Sequence, residues 1–558
     1  MQLHPGLTGA IPDSRGINLY RADGDAAALF RHYLPHDLFA HLEAHFDRLG
    51  ALAGGRLDEL AGIADHNPPT LSVRQRTGED CNRVEKHPAY VEMERIAFAE
   101  LGLAALSHRG ALGWPEPMPP VAKYALTYLF VQAEFGLLCP VNMTDSLTRT
   151  LKRYGDPALV ARFIDRLTSL DFDTLAQGAM FMTEQGAGSD IAATATRAEP
   201  RPDGTWALTG DKWFCSNPDA DLAMVLARSE TDAGLKGVSL FLLPQTRRDG
   251  VPNSYRILRL KDKLGTRSMA SGEVRLEAAE AYLVGERGRG FQQLADMVNS
   301  SRLSNGVRAA GLMRRAVTEA LFVARRRRAF GKTLIEMPLM RRQLGKMLLP
   351  TEQARSMMFL TGHALHRANQ GDAAAAKLAR IMTPLVKFRA CRDARKVTGD
   401  AMEVRGGCGY IEEWPDARLL RDAHLGSIWE GTSNIVALDV LRAIARDDCL
   451  PVLEAYANEL LEDAALDAQA RALFATTLAK VCAFAHDTAA KNSEAHARQA
   501  ASALYHIVSA IGLAHEAVKA SLPHRLALAH RVLSHRLLPR DPLALENDEP
   551  VLPGAELA

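Results

Sequence analysis

The feature that most constrains this fold is a change of periodicity near residue 180, reversed near residue 285. From about 88 to 180, apolar residues recur at helical spacing, as in Tyr90, Met93, Ile96, Ala97 and Leu101. That spacing lays one apolar stripe along one face of a helix. Between about 180 and 285 the pattern gives way to short β-branched and aromatic runs, WALTG, AMVLAR, VSLFLLP and GEVRLE, separated by Gly, Asp and Asn. Such runs predict strands joined by reversing turns. From about 288 to 445 helical periodicity returns, clearest over 376–397, until Gly406-Gly407 breaks it. An Ala-rich helical tail follows, with a loose end, ENDEPVLPGAELA. Residues 1–75 read as mixed, with a Pro-rich start and the loop His66-Asn67-Pro68-Pro69. No internal repeat is visible.

The expected fold class is therefore mainly α with a central β-domain. At 558 residues the chain is too long for one core. The expected parts are an N-terminal extension and helical domain (1–180), a β-domain (181–287), a helical bundle (288–445) and a C-terminal helical extension (446–558).

Composition removes several function classes. A net charge of +1 argues against a general polyanion binder. The start, MQLHPGLTGAIPDSRG, lacks a basic stretch followed by an apolar run, so no signal peptide is expected. No stretch of eighteen apolar residues is long enough to span a membrane. The seven cysteines are scattered with no CxxC, which fits free thiols, a reducing cytoplasm and no metal. HExxH, GxSxG and Walker patterns are absent. The histidines of the C-terminal region, from His486 to His535, are spaced like helix-surface residues rather than a metal cluster.

Three segments carry the chemistry. MTEQGAGSD spans Met182 to Asp190, WFCSN spans Trp213 to Asn217, and SIWEGTSN spans Ser427 to Asn434. Glycines in the first let backbone amides approach a polar ligand, although an isolated GxGSD could be an ordinary turn. A Trp-Phe pair on a strand is otherwise core. Arg325–Arg328 form a run before Ala329-Phe330-Gly331, within a stretch (301–350) holding twelve Arg or Lys and two Glu. A run of four Arg is commonly a solvated helix face or a nucleic-acid patch. Gly406-Gly407-Cys408-Gly409-Tyr410 could be a helix C-cap. Glu430 could simply favour a helix dipole.

The three segments, in this order and spacing, resemble the acyl-CoA dehydrogenases over about 90–445. That resemblance implies helical, β-barrel-like and helical-bundle domains, with FAD as cofactor. It implies flavin contacts from Met182, Thr183, Gly188, Ser189, Trp213, Ser216, Thr432 and Asn434, with Ser189 also near CoA. It implies that Arg327, Phe330, Gly406 and Gly407 reach the FAD of a neighbouring subunit in a homotetramer, where a guanidinium fork suits a diphosphate. Glu403 stands where the family often has Gln. Glu430 becomes the base that takes the Cα proton while hydride passes from Cβ to FAD N5. The family's other base position, one residue before Arg302, holds Ser301, which cannot serve. Arg302 is a candidate CoA contact. The implied partners are an acyl-CoA substrate and an electron-transfer flavoprotein.

Further features are similar to the AidB-like branch of that family, flavoproteins of the bacterial alkylation response that bind DNA through a basic C-terminal domain. They are Asn18-Leu19-Tyr20, Asp23-Gly24, Asn67-Pro68-Pro69, His87-Pro88, Leu138-Cys139-Pro140, Met143-Thr144, Lys261 to Gly265, Trp429 and Pro338. The tail departs from that pattern. Residues 446–558 hold ten Arg or Lys against fifteen Asp or Glu, a net of −5, and duplex binding needs clustered positive charge. The sequence therefore favours a dehydrogenase of AidB-like architecture. A DNA-binding flavoprotein and a scaffold that has lost its flavin are the alternatives.

Overall fold

The computed structural model describes residues 11–231, 234–464, 466–541 and 543. The first ten residues and the segment ENDEPVLPGAELA lie outside the described residues. The chain divides into two compact units.

One unit comprises Glu59–Pro119 and Glu134–Ser301. Its centre is a seven-stranded sheet, as the short apolar runs predict. Five strands pair in a ring: Leu222–Arg228 with Val238–Pro244, then Ser271–Leu283, Trp206–Ser216 and Arg197–Pro200, which returns to the first through Arg197 and Arg228. Closure gives each strand of the ring a partner on both sides. Gly178–Phe181 adds a parallel strand beside Leu222–Arg228, and Tyr255–Leu260 pairs with Ser271–Leu283. Trp206, Leu208, Cys215, Val225, Phe241 and Val274 fill the interior. The helix Leu138–Tyr154 lies against Gly178–Phe181 because Gly178 has no side chain. A Cβ there would stand 2.9 Å from Thr144 Cα, and Gly178 N donates to Thr144 Oγ1 at 2.8 Å. His87 caps the helix Pro88–Glu94, its ring accepting from Ala89 N.

The other unit comprises Met1–Asp58, Pro120–Ala133 and Arg302–Ala558. It is helical. The long helices Pro338–Asn369 and Ala373–Arg405 pack on each other and on Pro415–Gly426, Ser433–Ala445 and Ala497–Lys519. The N-terminal region expected to be mixed holds the helices Ala26–Tyr33 and His36–Gly54 in this unit. The second of these buries Leu38, Leu42, Phe46 and Leu49 along one stripe.

A buried ionic cluster joins Asp23, Asp25 and Arg525 to this bundle. Arg355 pairs with Asp23 at 2.6 Å and with Glu352. Arg525, with no exposed surface, pairs with Glu352 at 2.6 Å, Glu516 at 2.8 Å and Asp25 at 2.9 Å. Tyr33 and Ser356 donate to Glu516 at 2.7 and 2.6 Å. Each ion loses its hydration, so each needs its partners in place. The C-terminal histidines are not all on the surface, contrary to the sequence expectation. His506 and His515 are buried, and burial lowers both imidazole pKa values, that of His515 to about 4.

Candidate active site

The expected site residues fall in both units, and each group is described within its own. In the β unit, Met182 and Thr183 follow the strand Gly178–Phe181. Trp213 N donates to Thr183 O at 2.8 Å, so the first two motifs are joined by backbone. The loop then turns on itself, with Glu184 and Ala187 exchanging backbone hydrogen bonds. Its anchor is the Glu184 carboxylate, buried and accepting from Lys212 Nζ and Thr196 Oγ1, each at 2.6 Å, and from Ala195 N at 2.7 Å. Burial alone would raise this carboxyl; the Lys212 charge outweighs it and holds the group below its ordinary range. Gly186, Gly188, Ser189 and Asp190 are left exposed. A Cβ on Gly186 would meet nothing within 4 Å, so the loop's backbone is open to approach. Lys261 Nζ stands 3.4 Å from the Trp213 ring centroid and pairs with Glu273. Ser216, half-buried, ends the strand Trp206–Ser216.

In the helical unit, Glu430 lies in the turn between the helices Pro415–Gly426 and Ser433–Ala445. Its φ is +57° and that of Gly431 is +97°. A left-handed glutamate costs about 1–2 kcal/mol, so the surroundings must impose it. Arg302 Nε donates to Glu430 O at 3.1 Å, and Arg302 Nη1 pairs with Asp439 at 2.7 Å. The guanidinium expected to meet CoA is thus turned onto the turn that carries Glu430. Lys387 Nζ donates to Gly431 O. The Trp429 ring lies 4.8 Å from the Arg308 guanidinium. Thr432 and Asn434 are exposed at the start of Ser433–Ala445, where helix amides are unspent.

Arg327 is exposed at the end of the helix Gly290–Arg326, and its Nη1 donates to Arg405 O at 2.9 Å. The same side chain lies beside Gly406, whose φ of +72° ends the helix Ala373–Arg405. The two motifs, joined by a hydrogen bond between residues 78 apart in sequence, thus meet. Phe330 and Gly331, with φ of +51° and +80°, make the two-residue turn of the hairpin Arg328–Ala329 and Lys332–Thr333. Phe330 is 96% exposed. A Cβ on Gly407 would meet nothing within 4 Å. Glu403 accepts from Gln343 at 3.1 Å, and Pro338 opens the helix Pro338–Asn369.

An open small-residue loop beside a ring-bearing strand fits a flavin. A guanidinium next to exposed glycine backbone fits its diphosphate. Lys387, Asp439, Glu184 and Lys212 were not anticipated as site-forming residues. For Lys387 a signal exists, since it stands in the apolar stretch IMTPLVKF where helical phase predicts burial.

Comparison with known proteins bears on the family. Residues 10–174 match the adaptive response protein AidB N-terminal domain. Residues 179–279 and 288–445 match the acyl-CoA dehydrogenase middle and C-terminal domains. The chain is 38% identical to AidB of Escherichia coli (strain K12) over 402 residues, 69% of this chain and 71% of that protein. It is 31% identical to acyl-CoA dehydrogenase family member 11 of Caenorhabditis elegans over 443 residues, 77% of this chain and 71% of that protein. The crystal structure of C. elegans ACDH-11 in complex with C11-CoA superposes with a TM-score of 0.89 at 27% identity, covering 98% of this chain and 95% of that one. Among the described residues no helix is long and apolar enough to cross a membrane, and no His, Cys, Asp and Glu group could hold a metal. With the three motifs, the ring of strands and these matches together, the chain belongs to the acyl-CoA dehydrogenase family, in its AidB-like branch, and is an FAD-dependent oxidoreductase.

Proposed function

We propose that this enzyme introduces a double bond between Cα and Cβ of an acyl-CoA thioester, with Glu430 as the base. The observation that carries the reading is the turn at Glu430. Its carboxylate stands on a left-handed residue whose carbonyl is held by Arg302. A base for a weakly acidic Cα–H must be fixed within reach of the proton, and an imposed backbone supplies that. Glu430 takes the Cα proton. Thr432, Asn434 and the loop from Met182 to Ser189, with Trp213 and Ser216, would hold the flavin. Arg327, Phe330, Gly406 and Gly407 would reach the diphosphate of a neighbour's cofactor. FAD, when bound, supplies the acceptor for the hydride leaving Cβ, and an electron-transfer flavoprotein would reoxidise it. The relative solved with C11-CoA supports a medium-length acyl chain as first substrate to try. The cytoplasm is the proposed location, and 1–180, 181–287, 288–445 and 446–558 are the proposed domains. The test is anaerobic titration of the yellow protein with straight and branched acyl-CoAs, read by flavin absorbance. Bleaching by at least one supports the reading, and bleaching by none overturns it.

Phe330, Leu339 and Tyr410 are exposed on the helical unit, and large apolar side chains left in solvent support assembly with another copy. The expected result is a homotetramer with about one FAD per chain, measured by light scattering with flavin absorbance. A monomer with full FAD occupancy would count against neighbour-completed sites.

A second reading, DNA binding, has one supporting observation. Arg325, Arg326 and Arg328 are exposed on the Arg run. The tail offers less charge than its sequence suggests, because Arg525 is spent inside the ionic cluster. Duplex retention by the full-length protein should be weak and fall steeply between about 50 and 200 mM salt. Replacing the three arginines by Ala should remove it. Tight, salt-resistant binding that survives the replacement would place the site elsewhere.

A further inference from the structure

Lys387 stands in the middle of the helix Ala373–Arg405 and is 1% exposed. Burying an ammonium costs several kcal/mol unless it is paired. Among the described residues Lys387 forms no ion pair; Nζ donates to Gly431 O, a neutral backbone carbonyl. Burial pushes its ammonium down to about 8, the Arg302 charge acts in the same direction, and Cys391 and Glu430 act against it. A methionine of the same length would fill the space without that cost. The charge is therefore explained by its target rather than by packing.

The target is the residue after the proposed base. Glu430 and Gly431 are consecutive left-handed residues, and each carbonyl faces a cation from a different helix. Arg302, from Gly290–Arg326, holds Glu430 O and is itself fixed by Asp439. Lys387 holds Gly431 O. With one carbonyl pinned, the turn can still rotate about the other peptide. With both pinned, the Glu430 side chain leaves the backbone in one direction. A Cβ on Gly431 would come within 3.3 Å of Ile435 and Val436, so the turn has little slack on its other side.

We propose that Lys387 is a positioning residue for the dehydrogenation base, acting through the Gly431 carbonyl to keep Glu430 in its left-handed conformation. The inference rests on Glu430 being the base. Misplacement of a reacting group by about 1 Å can cost 10²-fold in rate while leaving binding groups intact. The effect should therefore appear in the rate at saturation and not in substrate affinity.

The experiment uses full-length holoprotein, C11-CoA and anaerobic stopped-flow absorbance. Lys387→Met is compared with the parent, Lys387→Arg and Glu430→Gln, with FAD content and melting temperature measured for each. The expected result for Lys387→Met is parental FAD content, a limiting flavin-reduction rate about 10- to 100-fold lower, and half-saturation within about threefold of the parent. Lys387→Arg, which keeps a charged donor, should recover much of the rate. A Lys387→Met protein that reduces its flavin at the parental rate, while Glu430→Gln does not, overturns the assignment and leaves the base reading standing. Parental rates in Glu430→Gln overturn the base reading itself. If Lys387→Met loses FAD or fails to fold, Lys387→Leu, which likewise has no donor, is read by the same criteria. Failure of both to fold makes Lys387 a structural residue and ends the proposal.

Discussion

Glu430→Gln should leave FAD bound and stop flavin reduction by acyl-CoA. Glutamine keeps the shape of the side chain and cannot accept the Cα proton, so a rate loss of about 10²–10⁴-fold or more is expected. The backbone contacts at this position do not depend on the carboxylate. Arg302 bonds to Glu430 O and Lys387 to Gly431 O, and both survive the substitution. The variant should therefore melt like the parent and take up FAD with the same stoichiometry. Single-turnover reduction under anaerobic conditions measures the chemical step without the electron acceptor. A parental rate with every substrate that the parent accepts would remove Glu430 from the mechanism.

Arg525→Met should destabilise the helical unit by about 3–5 kcal/mol, the usual cost of leaving buried charges without their partner. Arg525 contacts three carboxylates, Asp25, Glu352 and Glu516, and Glu516 is itself fully buried. Thermal melting and denaturant titration of the full-length holoprotein measure the loss. A double variant, Arg525→Met with Glu516→Gln, should recover part of it, because one stranded charge is removed. Unchanged stability in the single variant would show that the cluster contributes nothing there. The same cluster predicts acid sensitivity. Burial alone would raise the Asp25 carboxyl, but the His524 hydrogen bond and the Arg355 and Arg525 charges outweigh it and hold it below its ordinary range. A carboxyl depressed on folding stabilises above its unfolded pKa. That contribution is lost as pH falls through the lower folded value.

The net of −5 in residues 446–558 counts Arg525 and Glu516, which pair inside the bundle, so the tail's net is unchanged but it has one fewer cation at its surface. Truncation at Arg446 would therefore remove partners of Asp25 and Glu352 as well as the tail. Substitution of Arg325, Arg326 and Arg328 in the intact chain is the cleaner test of DNA binding.

The sequence by itself determined the order of helices, strands and helices, because periodicity reports which faces of a segment are apolar. It also placed the motifs, since a left-handed or tightly approached backbone needs Gly at given spacings. Gly406 at φ +72° and Gly431 at φ +97° are both inside the motifs read from sequence. The branch residues likewise have local reasons, such as His87 capping a helix. Only the tertiary structure decided what the charged residues do. Asp25 and Arg525 lie 500 positions apart, and Lys387 lies 44 from the carbonyl that it holds. Local pattern says that such a side chain is buried; which group compensates it depends on how helices cross. Coulomb and hydrogen-bond energies depend on distances that only packing sets.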